Sequence, residues 1–75
     1  VTRSEYIEAV YSVTSGEPWE KVQEGLQSDI NNLIHRELEA DTMEKIMELR
    51  GFRNALQYVH DLRELAKTEE AHANV

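Results

Sequence analysis

Apolar side chains recur at steps of three and four residues along most of this 75-residue chain, and that spacing suits one kind of backbone. Trp19, Val22, Leu26, Ile30, Leu33 and Ile34 follow it, as do Leu49, Phe52, Ala55, Leu56, Val59, Leu62 and Ala66. At about 3.6 residues per turn such steps gather side chains onto one side of a helix, whereas a half-buried strand needs strict alternation. Pro18 is the only proline and the three glycines are isolated, so little interrupts the pattern. The chain is expected to be all-α.

Punctuation residues divide the pattern. Thr2-Arg3-Ser4-Glu5 has the capping-box form, in which a hydroxyl and a carboxylate satisfy free amides at a helix start. Tyr6, Ile7, Val10, Tyr11 and Val13 then make a broad apolar face, closed by Thr14-Ser15-Gly16, where glycine can end a helix. Pro18 follows where a first-turn proline has no amide to leave unpaired. These signals predict a first helix over 3–14 and a second over 18–40. Glu37 falls near the centre of the second helix's apolar side, where the contact should fray or shift. In Asp41-Thr42-Met43-Glu44, Asp41 is a candidate cap for a third helix over 42–68, with a polar tail at 69–75. A short link between two long amphipathic helices favours a long antiparallel hairpin carrying a short N-terminal helix, all in one domain spanning 1–75. One continuous bent helix is the rival, because nothing around Ala40 strictly breaks a helix.

The third helix has a second apolar line through Met47, Gly51, Tyr58 and Leu65, roughly 140° around from the first. A twelve-residue first helix spans only about 18 Å, whereas Met47 to Leu65 covers about 27 Å. Either the first helix folds back over part of this line, or another chain covers it. Gly51 fits close helix approach or a kink. Large aromatics dominate interface energetics, so Trp19, Phe52 and Tyr58 are candidate contact anchors, beside Met47, Gly51 and Leu65. Trp19 and Phe52 lie on main stripes and can serve as core instead.

Other chemistries find little footing. The formal charge is −7, from 15 acidic and 8 basic side chains, which opposes binding to a phosphate backbone. Arg50 and Arg53, continued loosely by Arg63, are too sparse for a nucleic-acid footprint. The spacings His35/Glu39 and His60/Glu64 each place two potential metal ligands on one helix face, short of the three or four a site requires. No glycine-flanked serine elbow and no Gly-rich phosphate loop is present, so neither an enzyme nor a cofactor is expected. There is no cysteine, which fits a cytoplasmic or virion setting, and no apolar run reaches the roughly 20 residues that cross a bilayer.

The element Leu49-Arg50-Gly51-Phe52-Arg53-Asn54-Ala55-Leu56 joins a Leu-Arg-Gly triplet to an Ala-Leu pair. It resembles, closely over those residues and loosely from Trp19 to Leu65, the helical hairpins of small tailed-bacteriophage proteins. The resemblance implies a phage origin and carries no functional residues with it. Small subunits of packaging enzymes, which bind DNA, usually add a basic helix-turn-helix that is missing here. The expected task is therefore protein–protein interaction, as a structural or assembly component that self-associates or docks on a larger protein. The alternative is an acidic inhibitor of a host protein. In that reading Glu5, Glu8, Glu17, Glu20, Glu24, Asp29, Glu37 and Glu39 imitate the charge of DNA.

Overall fold

A computed structural model describes the backbone of residues 1–73 and the side chains of residues 1–72. Among these residues the chain is all-helical: α1 Arg3–Val13, α2 Glu17–Glu39, α3 Met43–His60 and α4 Leu62–Ala73. α2 packs on α3 and α1 packs on α4.

Local chemistry sets the boundaries. Thr2 caps α1, its hydroxyl accepting from the Glu5 amide at 3.1 Å. Gly16 turns the chain with φ 84° and ψ 179°, a combination open almost only to glycine, and Pro18 follows in the first turn of α2. Ala40 and Thr42 are both extended, so α2 and α3 are separate helices and the continuous bent helix is ruled out. Thr42, and not Asp41, is the cap of α3. Its hydroxyl accepts from the Lys45 amide at 3.2 Å, while Asp41 reaches the Lys45 ammonium at 4.0 Å.

The single helix expected over 42–68 is divided at Asp61, whose φ and ψ are −96° and 10°. Side-chain hydrogen bonds engage the chain at the break. Gln23 of α2 donates to the His60 carbonyl at 3.1 Å, engaging an acceptor that a continuous helix would use itself. The Asp61 carboxylate meanwhile accepts from Gln57 at 3.0 Å and lies 2.8 Å from Nδ1 of His60. α4 then continues through much of the expected tail: residues 69–73 are helical, and Asn74 and Val75 lie outside the described residues.

Burial follows two regular rows. In α2 the buried and half-buried positions are Trp19, Gln23, Leu26, Ile30, Leu33 and Glu37, continued by Ala40 in the link. In α3 they include Ile46, Leu49, Arg53, Leu56 and His60. Both rows alternate steps of three and four, the seam of helices packed side by side in coiled-coil fashion. Glu37 meets Arg50 and Arg53 while Gln23 meets His60, so contacts run in opposite senses along the two helices. This seam is rotated from the stripe read in the sequence. Of that stripe Leu49 and Ala66 are buried and Leu56 and Leu62 half-buried, while Phe52, Ala55 and Val59 face outward.

Little is buried. The apolar core consists of Val10, Ile30, Leu49 and Ala66, with Thr14 beside it. The radius of gyration is 15.3 Å, where a compact chain of this length has about 11 Å.

Candidate functional site

Two ionic clusters hold the helices in place. At one end of the seam Glu37 sits between two arginines: Arg53 donates from Nε at 2.6 Å and Arg50 from Nε at 2.9 Å. The carboxylate side chain is only 10% exposed. Its hydrogen bond to Arg53, and then that to Arg50, hold it below the usual carboxylate range. The contact therefore does not fray at Glu37. The acid joins the seam because α3 brings cations to it, and the Arg50/Arg53 pair is spent there.

At the other end Arg63 of α4 closes the C-terminus of α1. Its Nη1 lies 3.3 Å from the Tyr11 and Thr14 carbonyls and 3.2 Å from the Thr14 hydroxyl, and its guanidinium stands 5.2 Å over the Tyr11 ring. α1 has no basic residue in its own last turn, so α4 supplies the cation that its terminal carbonyls favour. Arg3 grips Glu69 through two hydrogen bonds of 2.7 and 2.6 Å, and Tyr11 donates to Glu70 at 2.6 Å. These four residues seat α1 along α4.

What the helices leave uncovered is the candidate site. It has two faces. The first is the line through Met47, Gly51, Tyr58 and Leu65, on the back of α3 and α4. Met47 is 62% and Tyr58 55% exposed, and Leu65 and Gly51 are also exposed. α1 reaches only the far end of this line, where Tyr6 and Ile7 share a cleft with Tyr58 and Leu65. Met47 and Gly51 lie beyond it. A β-carbon added to Gly51 would meet nothing within 4 Å, and α3 continues through it, so neither a close approach within the chain nor a kink explains this glycine.

The second face lies along one side of the α2–α3 seam. Phe52 is 57% exposed and forms a groove with Ala55, Leu56 and Leu33, bordered on α2 by Asp29, Asn32 and Arg36. Val22 and Val59 are exposed at the same register as Phe52 on their helices. Trp19 is half-buried at the end of the seam nearest α1 and offers less free surface than Phe52. Sequence reasoning placed Phe52 on the main stripe. The signal that would have moved it outward is the strict three-four row through Ile46, Leu49, Arg53, Leu56 and His60, visible once polar residues are admitted to the seam.

No other chemistry gathers here. Among the described residues no group of three His, Asp or Glu side chains is placed to hold a metal ion, and His60 is turned to Asp61 instead of Glu64. Among the described residues no helix is long and apolar enough to cross a membrane. Compared with known proteins, the chain matches no family model, no curated protein and no solved structure.

Proposed function

We propose that this chain is a non-enzymatic protein–protein interaction module, a structural or assembly component such as one of a phage virion. Its working part is a long antiparallel hairpin offering apolar faces to other proteins. One observation carries the reading. The chain exposes 5754 Å² of surface, about 1,000 Å² more than a compact protein of its mass. That excess matches the roughly 800 Å² that each partner contributes to a standard interface. Twelve large apolar side chains are exposed among the described residues, against four buried apolar ones. Polar seam pairs such as Glu37 with Arg53 set the register of the hairpin and so fix where those side chains stand.

The acidic-mimic alternative has less support. Glu37, one of the carboxylates it would use, is already neutralised by two arginines.

Capture from the native source on the immobilised chain, read by mass spectrometry, tests the proposal. The expected result is a protein or further copies of this chain, held with little dependence on salt and weakened by Tyr58→Glu or Phe52→Glu. Retention of nothing, together with a monomer at every concentration, overturns it. Binding that collapses as salt rises would favour the mimic.

A further inference from the structure

Opposite charges flank the Phe52 groove on α2. Asp29 and Arg36 stand one heptad apart on its border, with Asn32 and Leu33 midway between them. They are too far apart along the helix to pair with each other, at about 10 Å of helical rise. Neither has an ion-pair partner among the described residues.

Such a pair is self-complementary. If α2 is laid antiparallel on a second α2 with Asn32 and Leu33 at the crossing, each Asp29 meets the other copy's Arg36, twice. The same operation acts on α3 at the height of Phe52. Leu33 and Phe52 line one groove, so the midpoint of α2 and Phe52 of α3 lie at the same height along the hairpin. A two-fold axis running across the hairpin at that height would lay α2 on α2 and α3 on α3. It would also bring the two Phe52 rings together at the centre.

We infer that the Phe52 face binds a second copy of this chain, face to face about that axis, closing two hairpins into a four-helix bundle. This rests on the interaction-module reading and deepens it. It assigns one apolar face to self-association and leaves the Tyr58 line for a larger protein. Three physical arguments support a copy as the occupant. The charges are complementary under a two-fold and would be mismatched in a parallel arrangement. Phe52 and Val59, exposed one heptad apart beside the α3 seam, widen its apolar face as in helices packed in bundles; a simple pair needs only the seam itself. The surplus surface of the whole chain is large enough to include the share that one subunit of a stable dimer gives up. At the centre of such an interface the paired aromatics hold most of the binding energy, and the flanking ion pairs choose the orientation.

Sedimentation across a concentration series tests this with the full chain. The wild type should be a dimer. Phe52→Glu should raise the dissociation constant at least about 30-fold, as loss of a central hot spot does, while its circular dichroism stays helical because Phe52 is exposed. Asp29→Arg and Arg36→Asp should each weaken the dimer, and the double swap should restore it, since exchange of both charges recreates both ion pairs. Tyr58→Glu should leave the dimer unchanged. A monomer at every concentration overturns the inference, as does a dimer indifferent to Phe52→Glu or a double swap no better than the single changes. A monomeric chain that still captures a partner through Tyr58 would sink the dimer alone. A monomer that captures nothing would sink the interaction reading as well.

Discussion

At Gly51 the backbone of α3 lies open, and the energetic consequence is simple. Glycine inside a helix is less favourable than alanine by about 1 kcal/mol, because its backbone has more freedom to lose. No neighbour stands within 4 Å to object to a methyl group. Gly51→Ala should therefore stabilise the isolated chain, raising its melting temperature by about 4–8 °C in a thermal scan followed at 222 nm. If the same variant binds a partner more weakly, the glycine is kept for close approach by another protein and not for packing within the chain. Gly16 is the contrasting case. Its positive φ of 84° demands a residue without a β-carbon, so alanine there would be costly even though the nearest side-chain atom is 3.7 Å away.

At the scale of elements, the helices are joined by charges as much as by apolar contact. Glu37 links α2 to α3, and its arginine partners depress its pKa from the ordinary 4.5. Asp61 is depressed by His60 and then Gln57, and Glu69 by Arg3. A carboxylate with a lowered folded pKa stabilises the fold above its unfolded pKa, and that contribution is lost as pH falls through the folded value. The melting temperature should accordingly drop on acidification below about pH 4.5. Glu37→Gln should melt lower than wild type at neutral pH and lose less on acidification. An equally steep acid profile in that variant would show that Glu37 is not the main sensor.

The docking of α1 has its own test. Arg63→Met keeps the aliphatic stem but removes the cation that closes α1. Amides of the 11-residue α1 should then exchange faster with deuterium, while those of α2 and α3 keep their protection. Uniform loss of protection would mean that α1 and the hairpin unfold as one unit.

The whole molecule is long, with extents of 45 × 28 × 21 Å, and it is thinly filled. Four buried apolar residues among those described are few for a chain that must offset the conformational entropy of more than seventy. Mass action offers a remedy, since association that favours the folded state makes stability depend on concentration. The melting temperature should rise steadily with protein concentration in the wild type and stay flat in Phe52→Glu. A wild-type melt that does not move with concentration would describe a self-sufficient monomer.

Much of the fold was already legible in local chemistry. The period of the apolar residues requires helices, Gly16 with Pro18 requires the first turn, and Thr2 offers the first cap. Each of these depends on residues a few positions apart, and short-range sterics and hydrogen bonding decide them. The same locality showed two amphipathic stretches on either side of Ala40 but left open whether they were one bent helix, and it offered Asp41 as the cap where Thr42 serves. It did not locate the break at Asp61, where Gln23, 37 residues away in the chain, reaches the His60 carbonyl. It placed Glu37 on the apolar side of α2 but expected the contact to fray or shift there, since a buried carboxylate is unfavourable until Arg53 arrives from the facing helix. In the seam that holds this pair together with Leu49 and Leu56, Phe52 lies off the core stripe and on the outer face. Sequence by itself determined that the chain is helical and that more apolar surface exists than one short helix can cover. Only tertiary structure decided which surface that is, because the rotation of a helix is set by the partner charges and side chains it must satisfy across the interface.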